Sequence, residues 1–172
     1  MSSAKHFEIR NISRLDARAV AFLYKRGLAE EKPKGSCTIK WIMKHISKGL
    51  DGFGLLYRGK LIGIATFATV GSTIYMDFIY ASKPRMGVGS ALMLEVAKLA
   101  KKKGIKQIKA SVSKIDARAT AWYRACGYKR VPKTAHSRFL LDRPFLFHMA
   151  ATPSMVIKLL ESRKERHEIP RY

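Results

Sequence analysis

The amino-acid sequence predicts an α+β fold of α/β/α layers: a mixed, mostly antiparallel central sheet, helices on both faces and an extra C-terminal helix. Three strand-like runs in the middle of the chain are separated only by short turns, which is typical of an antiparallel meander. The runs that follow alternate between strand and helix, an order that places one parallel strand pair inside the sheet. A chain of 172 residues with 47% hydrophobic side chains can bury a core as one domain.

The first third of the chain is predicted to contain one strand and two helices. Residues 7–12 alternate between apolar and polar side chains, as a strand does. Residues 13–28 have helical spacing, and the inward face of this helix is predicted to consist of Leu15, Ala19, Phe22 and Leu23. Proline, glycine and charged residues predict a loop over residues 29–36, and residues 38–47 are predicted to form a second helix.

The rest of the chain supplies the remaining elements. Glycine-containing turns at 58–60 and 71–72 separate the three strands of the meander, predicted at residues 53–57, 61–69 and 73–80. Beyond them we predict helices at 90–103 and 117–125 and strands at 105–112, 128–131 and 145–150. Thr152 and Pro153 are typical of a helix start, so residues 152–172 are predicted to form a basic helix appended to the domain of residues 1–151.

The chain is strongly basic, because 34 Lys and Arg oppose 12 Asp and Glu and give a formal charge of +22. It shows no secretory signal and no apolar run as long as a membrane span. Its two cysteines, Cys37 and Cys126, lie far apart, and its five histidines lack metal-ligand spacing. We therefore expect a cytoplasmic protein with no membrane span, no disulfide framework and no metal site.

A glycine-containing segment, Lys-Pro-Arg-Met-Gly-Val-Gly-Ser, lies between a predicted strand and a predicted helix at residues 83–90. Glycines allow a ligand to approach the backbone closely, and the free amides at a helix N-terminus attract anions. This pattern indicates a site for a phosphate-bearing cofactor. The alternative is a plain strand-to-helix turn, since the segment has neither the Lys-Ser/Thr ending of a nucleoside-triphosphate loop nor the spacing of a dinucleotide fingerprint.

A second segment of interest runs from Asp116 to Tyr128 and is predicted to contain a short helix. Asp116 can cap this helix, and Ala119 and Tyr123 stand four residues apart on one face. Taken alone, a tyrosine on a helix that faces a sheet is usually a core residue.

Together, in this order, the two segments resemble the GNAT family of acyl-CoA N-acyltransferases. That family has an Arg/Gln-x-x-Gly-x-Gly/Ala loop, then a helix, a strand and an Asn-x-x-Ala-x-x-x-Tyr-x-x-x-Gly-Phe segment. Over about residues 52–131 the chain follows this order, and the second motif is matched by Ala119, Tyr123, Gly127 and Tyr128. Two residues depart from it: Arg85 stands two positions before Gly87 instead of three, and Asp116 replaces the Asn.

The resemblance implies an acetyl-CoA donor bound where the predicted strands 73–80 and 105–112 splay apart. The pantetheine arm would bond to the backbone of Ile79 and Tyr80, and Tyr123 would give a proton to the departing thiolate. The pyrophosphate would lie on backbone amides of the glycine loop. The full set of cofactor-binding residues expected from the resemblance is Ile79, Tyr80, Arg85, Met86, Gly87, Val88, Gly89, Ser90 and Asp116.

The acceptor amine must lose a proton before it attacks, which requires a base or a chain of waters. Asp77 is our candidate base, because it is the only carboxylate on the strand beside the gap. The alternative is that Asp77 pairs with a neighbouring Lys or Arg and only supports the structure. The family's variable acceptor regions correspond to residues 29–38 and 133–144, where Glu30 and Glu31 are either amine contacts or a solvated pair.

The charge bears on the acceptor. Between Lys98 and Lys133 there are twelve Lys and Arg and one acid, and further cations follow at Arg163, Lys164 and Arg166. A small cofactor needs only a few local cations, so we expect a polyanionic partner. We expect that the acceptor amine is part of a nucleic acid or is bound to one, as in an aminoacyl-tRNA, a base or a nucleoprotein. Two alternative functions stay open: a non-catalytic nucleic-acid-binding module and a small-molecule amine acetyltransferase. The protein could also form a homodimer.

Overall fold

The central sheet of the protein, seen in a computed structural model, has seven strands in the order β1-β2-β3-β4-β5-β7-β6. The structure describes residues 7–31, 43–44, 47, 50–83, 85–132 and 146–165. The strands are β1 Phe7–Asn11, β2 Asp51–Tyr57, β3 Lys60–Val70, β4 Thr73–Ala81, β5 Gln107–Ser113, β6 Lys129–Val131 and β7 Leu146–Ala151. The helices are α1 Ala17–Glu31, α2 Val88–Lys102, α3 Ala117–Ala125 and α4 Pro153–Glu165.

The mixed sheet predicted from the order of the elements is confirmed. β4 and β5 run parallel, and the other paired strands of the described sheet run antiparallel. The hairpin between β2 and β3 turns through Arg58 and Gly59, which both have positive φ (50° and 75°). Two such residues in a two-residue loop match the right-handed twist of the flanking strands, so this tight turn fixes the register of the meander.

Helices lie on both faces of the sheet, as predicted. α1 packs its Ala21, Leu23 and Tyr24 against Ile64 of β3 and Phe78 of β4. α2 lies in the larger core on the other face, together with residues of α3 and α4. In α2 nearly every apolar side chain is fully buried, so close packing fixes the position of this helix and of its N-terminus.

The prediction for the first helix was wrong in its start and in part of its inward face. Residues Ile12–Arg14 form a short 3-10 turn, and α1 begins only after Asp16, whose carboxylate accepts the Ala19 N–H at 2.7 Å. Of the predicted inward face, Ala19 and Phe22 are exposed, Phe22 by 63%. The side chains that are buried instead include Val20, Ala21 and Tyr24, with Leu23 as predicted.

The segments around the predicted second helix are only partly described. α1 continues through Glu31, so the first residues of the predicted loop 29–36 are helical. Met43 and Lys44 are helical, and the Ser47 N–H donates to the Met43 carbonyl at 3.0 Å. The other residues of the predicted helix 38–47 lie outside the described residues.

α4 packs against α2, and its Met155 lies beside Gly127 in the turn that follows α3. Val156 and Leu160 of α4 are fully buried, and a Cβ on Gly127 would lie 2.8 Å from Met155 Cγ. None of the helices in the described ranges is long and apolar enough to span a membrane.

Candidate active site

A gap opens between β4 and β5, as the resemblance implied. In the described sheet the two strands pair at only three positions, ending at Tyr75 and Lys109, although β4 continues to Ala81 and β5 to Ser113. Beyond that point Ile79 and Tyr80 pair only with β3 on the opposite edge. The β5-side edge of β4 is therefore open, and an extended ligand can bond to its backbone as an added strand would.

A β-bulge in β4 lies at Asp77, two residues beyond the last β4 residue that pairs with β5. On β3, Thr66 is opposite Phe78 and the next residue, Phe67, is opposite Met76, so Asp77 is the extra residue. The bulge changes which face each side chain points to, because Met76 lies in the α2-side core whereas Phe78 lies in the α1-side core. Register information of this kind cannot be read from residue types alone.

Two hydroxyl groups hold the Asp77 carboxylate. Its Oδ2 atom accepts the Tyr24 hydroxyl at 2.7 Å and the Thr66 hydroxyl at 2.8 Å. Tyr24 comes from α1 and is 4% exposed, and Thr66 is fully buried on β3. Neither residue could be selected from the sequence, because their approach to Asp77 depends on the bulge and on the packing of α1.

The glycine segment forms the start of α2, as predicted. Gly87 is the N-cap with φ 71°, and no side chain caps the helix. The Ala91 N–H donates to the Gly87 carbonyl at 2.9 Å, so the preceding first-turn amides have no acceptor within the helix. Those amides and the positive end of the helix dipole form an anion site. Lys83 and Arg85 are exposed just before it, and Arg85 also has positive φ, at 63°.

α3 lies against this first turn through Trp122, a residue that the sequence analysis missed. Its indole N–H donates to the Ser90 hydroxyl at 3.2 Å, and a Cβ on Gly89 would lie 3.5 Å from the Trp122 ring. Ser90 is 7% exposed, so this bond holds the second half of α3 against the first turn of α2. The indole is one position away from Tyr123 on a short helix, and nothing in the sequence pattern distinguished it.

Tyr123 is 8% exposed and lies between two aromatic rings. Its ring meets Trp122 at 4.8 Å and Tyr128 at 5.0 Å, both edge-on. Full burial, with smaller contributions from Tyr123 and Cys126, raises the pKa of Tyr128 well above its usual range, so Tyr128 stays a neutral phenol. The Tyr128 hydroxyl bonds to Met93 Sδ at 3.2 Å.

Asp116 caps α3, as predicted. Its carboxylate accepts the Ala119 N–H at 2.8 Å and is otherwise on the surface. Of the acceptor regions expected at residues 29–38 and 133–144, residues 32–38 and 133–144 lie outside the described residues, as do the side chains of Glu30, Glu31, Lys164 and Arg166.

The split between β4 and β5 and the glycine turn at the start of α2 are both features that the resemblance implied. A model of the GNAT acetyltransferase family matches residues 9–128 of the sequence. The chain belongs to the GNAT acetyltransferase family. It is an N-acetyltransferase that takes its acyl group from acetyl-CoA. The uncapped α2 N-terminus and the open edge of β4 fit the pyrophosphate and the extended arm of that donor.

Solved GNAT structures agree with this fold. The PaiA N-acetyltransferase from Thermoplasma acidophilum in complex with coenzyme A has a TM-score of 0.69 at 16% identity, over 85% of this chain and 98% of that one. The ribosomal-protein-S18-alanine N-acetyltransferase from Escherichia coli has a TM-score of 0.67 at 18% identity, over 85% and 93%. An N-acetyltransferase from Staphylococcus aureus Mu50 has a TM-score of 0.69 at 17% identity, over 86% and 99%. No curated protein sequence matches the chain significantly.

Proposed function

We propose that this GNAT acetyltransferase transfers the acetyl group directly to an amine that is part of, or bound to, a nucleic acid. The observation that carries the acceptor assignment is the excess of exposed cations over acids between Lys98 and Arg130. The residues at the gap between β4 and β5 carry out the chemistry, which is the same for any amine acceptor.

Donor binding is assigned to backbone groups on two elements. The backbone amides from Met86 to Ser90, which lie in the first turn of α2 and just before it, hold the pyrophosphate. Lys83 and Arg85 are close by in sequence. The open edge of β4 at Ile79 and Tyr80 bonds to the pantetheine arm. Asp116 follows β5 on the other side of the gap, and by capping α3 it supports the donor-binding site from there. The thioester then lies in the gap beside Asp77.

Asp77 is the proposed base. The amine gives a proton to the Asp77 carboxylate, and its nitrogen forms a bond to the thioester carbonyl carbon. The hydroxyls of Tyr24 and Thr66 both bond to Oδ2, so they fix the direction of the carboxylate at the edge of the gap. A water between the amine and Asp77 performs the same transfer where the two groups do not touch.

Tyr123 is the proposed acid. When the carbon–sulfur bond breaks, its electron pair leaves with the sulfur, which takes the proton of the Tyr123 hydroxyl. The ring is held edge-on between Trp122 and Tyr128, so the hydroxyl has a fixed position. No covalent intermediate with the protein is needed, since the amine attacks the donor directly.

The acceptor assignment depends on charge. Nine of the twelve cations between Lys98 and Lys133 are exposed: Lys101, Lys102, Lys103, Lys106, Lys114, Arg118, Arg124, Lys129 and Arg130. In the described part of this stretch the ion pairs are Lys98 with Glu95 and Lys103 with Asp51, the latter at 3.9 Å. The one acid, Asp116, is used as a helix cap. A surface of this kind attracts phosphates and repels a free basic peptide.

A relative's substrate fits the nucleoprotein form of the proposal. The Escherichia coli structure is named as an acetyltransferase of the alanine of ribosomal protein S18. An amine on a protein that sits on RNA would reach this site with phosphates beside it, which removes the repulsion expected for a free basic chain. We propose that the enzyme acts in the cytoplasm, where charged tRNA and ribosomes are available as acceptors.

Acetyl-CoA with a labelled acetyl group tests the proposal. The enzyme is incubated with aminoacylated tRNA, total RNA, DNA, ribosomes, polyamines or free amino acids, and each fraction is analysed for label with and without nuclease. We expect label on a fraction that contains nucleic acid, and transfer that weakens steeply with salt. Efficient labelling of polyamines or amino acids, without salt-dependent binding of nucleic acid, would contradict the acceptor assignment. Nucleic-acid binding without any transfer would support the non-catalytic alternative.

The variant Asp77→Asn separates base catalysis from binding. It keeps the shape of the side chain but cannot accept the amine proton, so turnover should fall about 10²-fold or more while the acetyl-CoA-dependent rise in melting temperature stays. Thr66→Val is the matched control, because it removes one bond to the carboxylate and leaves the carboxylate in place. Equal turnover of Asp77→Asn and the wild type would assign proton removal to water alone.

A further inference from the structure

We propose that a basic cleft between α3 and the β6–β7 edge binds a single strand of RNA. The cleft consists of two adjoining cavities of about 430 and 350 Å³. Both cavities are lined by Lys114, Arg130 and Phe147. Because they share three residues, a polymer can occupy them as one continuous site. This inference rests on the proposed nucleic-acid acceptor and assigns it a place on the surface.

The cations of the cleft have no acidic neighbour among its described lining residues. Lys114 and Arg130 line both cavities, and Arg124 of α3 lines the second. All three side chains are exposed. Three cations without an acid in a concave surface focus a positive potential there, which matches a phosphate chain better than a neutral or basic partner.

An aromatic side chain provides a place for a base. The Arg130 guanidinium lies 5.1 Å from the centre of the Phe147 ring, and Phe147 is only partly buried. Unpaired bases stack on aromatic rings and on guanidinium planes, whereas bases inside a duplex are not available for this contact. Each cavity has the size of a pocket for one small-molecule-sized group, such as a nucleotide. The cleft therefore favours a single strand over a duplex.

The cleft lies beside the gap. Lys114 directly follows Ser113, the last residue of β5, and the gap widens toward this end of the strand. His148, which lines the first cavity, is opposite Ser111 of β5 in the sheet. A strand held in the cleft consequently reaches the open end of the split, where the acceptor amine must enter.

Fluorescence anisotropy with a labelled 12-nucleotide single-stranded RNA tests the proposal over a salt series. The triple variant Lys114→Gln, Arg124→Gln, Arg130→Gln is compared with the matched control Arg14→Gln, Arg18→Gln, Lys60→Gln, which loses the same charge from exposed positions outside residues 98–133. Three lost phosphate contacts should lower the salt slope by about 2 and weaken binding about 10²-fold or more at low salt. The control should bind within about 5-fold of the wild type, since it keeps the cleft contacts. Phe147→Leu should bind single strands about 10-fold more weakly.

The outcomes separate the two proposals. If the triple variant and the control bind RNA equally well, RNA binds elsewhere. The assignment of RNA to the cleft is then wrong, whereas the acceptor assignment is unaffected. If duplex RNA binds more tightly than the single strand, or Phe147→Leu binds like the wild type, the assignment of a single strand is overturned. If the wild type binds no nucleic acid at all, both the cleft and the acceptor assignment fail. A retained acetyl-CoA-dependent rise in melting temperature shows that each variant is folded.

Discussion

Replacing Gly87 with glutamate tests whether the first turn of α2 binds the phosphates of acetyl-CoA. Gly87 is the helix N-cap, and no side chain competes with a ligand for the amides that follow it. A carboxylate at this position lies about 4 Å from a bound phosphate, and two unit charges at that distance repel by about 4 kcal/mol near a protein surface. Acetyl-CoA binding should therefore weaken about 10³-fold, at about 1.4 kcal/mol for each factor of ten.

Thermal unfolding measures this loss without knowledge of the acceptor. At a concentration one hundred times the wild-type Kd, acetyl-CoA stabilises the folded protein by about 2.7 kcal/mol. In a domain of this size each kcal/mol raises the melting temperature by about 2–4 °C, so the wild type should gain about 5–11 °C. For the Gly87→Glu variant the gain should be below about 1 °C.

Gly104→Glu is the matched control. Gly104 also has positive φ, at 68°, an added Cβ meets nothing within 4 Å, and the residue lies just beyond the other end of α2. Both variants gain one negative charge and a strain of about 1–2 kcal/mol. The control charge is about 22 Å from the anion site, well beyond the Debye length of about 8 Å. The site would be wrong if Gly87→Glu kept the ligand-dependent gain, or if Gly104→Glu lost it equally.

Three further predictions concern α3 and its surroundings. Tyr123→Phe should cut turnover about 10²-fold or more and leave the acetyl-CoA-dependent gain in melting temperature intact, because it removes only the hydroxyl; unchanged turnover would exclude the acid role. Burial raises the pKa of Cys126 from 9.0 to about 12. The folded protein then holds a proton that the unfolded chain releases, so this contribution to stability is complete below about pH 9 and is lost as the pH rises to about 12. The urea midpoint should fall less between pH 8 and 10.5 in Cys126→Ala than in the wild type, and parallel falls would contradict this pKa. Gly127→Ala should lower the free energy of unfolding by about 2–4 kcal/mol, because φ at Gly127 is 91° and the new Cβ would lie 2.8 Å from Met155 Cγ. A melting temperature within about 1 °C of the wild type would refute that packing.

The elements with one dominant periodicity were predicted almost to the residue. The helix at 117–125 coincides with α3, and each strand of the meander begins or ends within two residues of its predicted bound. These segments are bounded by glycine turns or by the Asp116 cap, so local chemistry decides where they end. The first helix was misplaced because Ser13 and Asp16 can both start it, and the 3-10 turn that selects Asp16 depends on contacts with β2.

The candidate site was predicted only as far as it is local in sequence. The anion-binding turn at Gly87 and the α3 cap follow from residue type and spacing. Tyr24, Thr66 and Trp122 could not be selected, since their contacts with Asp77 and Ser90 join residues 53, 11 and 32 positions apart. Such contacts depend on register and helix packing, and one inserted residue in β4 is enough to move them.

That inserted residue explains how one strand can serve two substrates. Without the bulge, Asp77 and Ile79 would lie on one face of β4, because side chains alternate along a strand. With it, Asp77 bonds to Tyr24 on the α1 side, whereas Ile79 packs in the core on the α2 side. The donor can then enter from the uncapped end of α2, while the proposed base is presented from the opposite face.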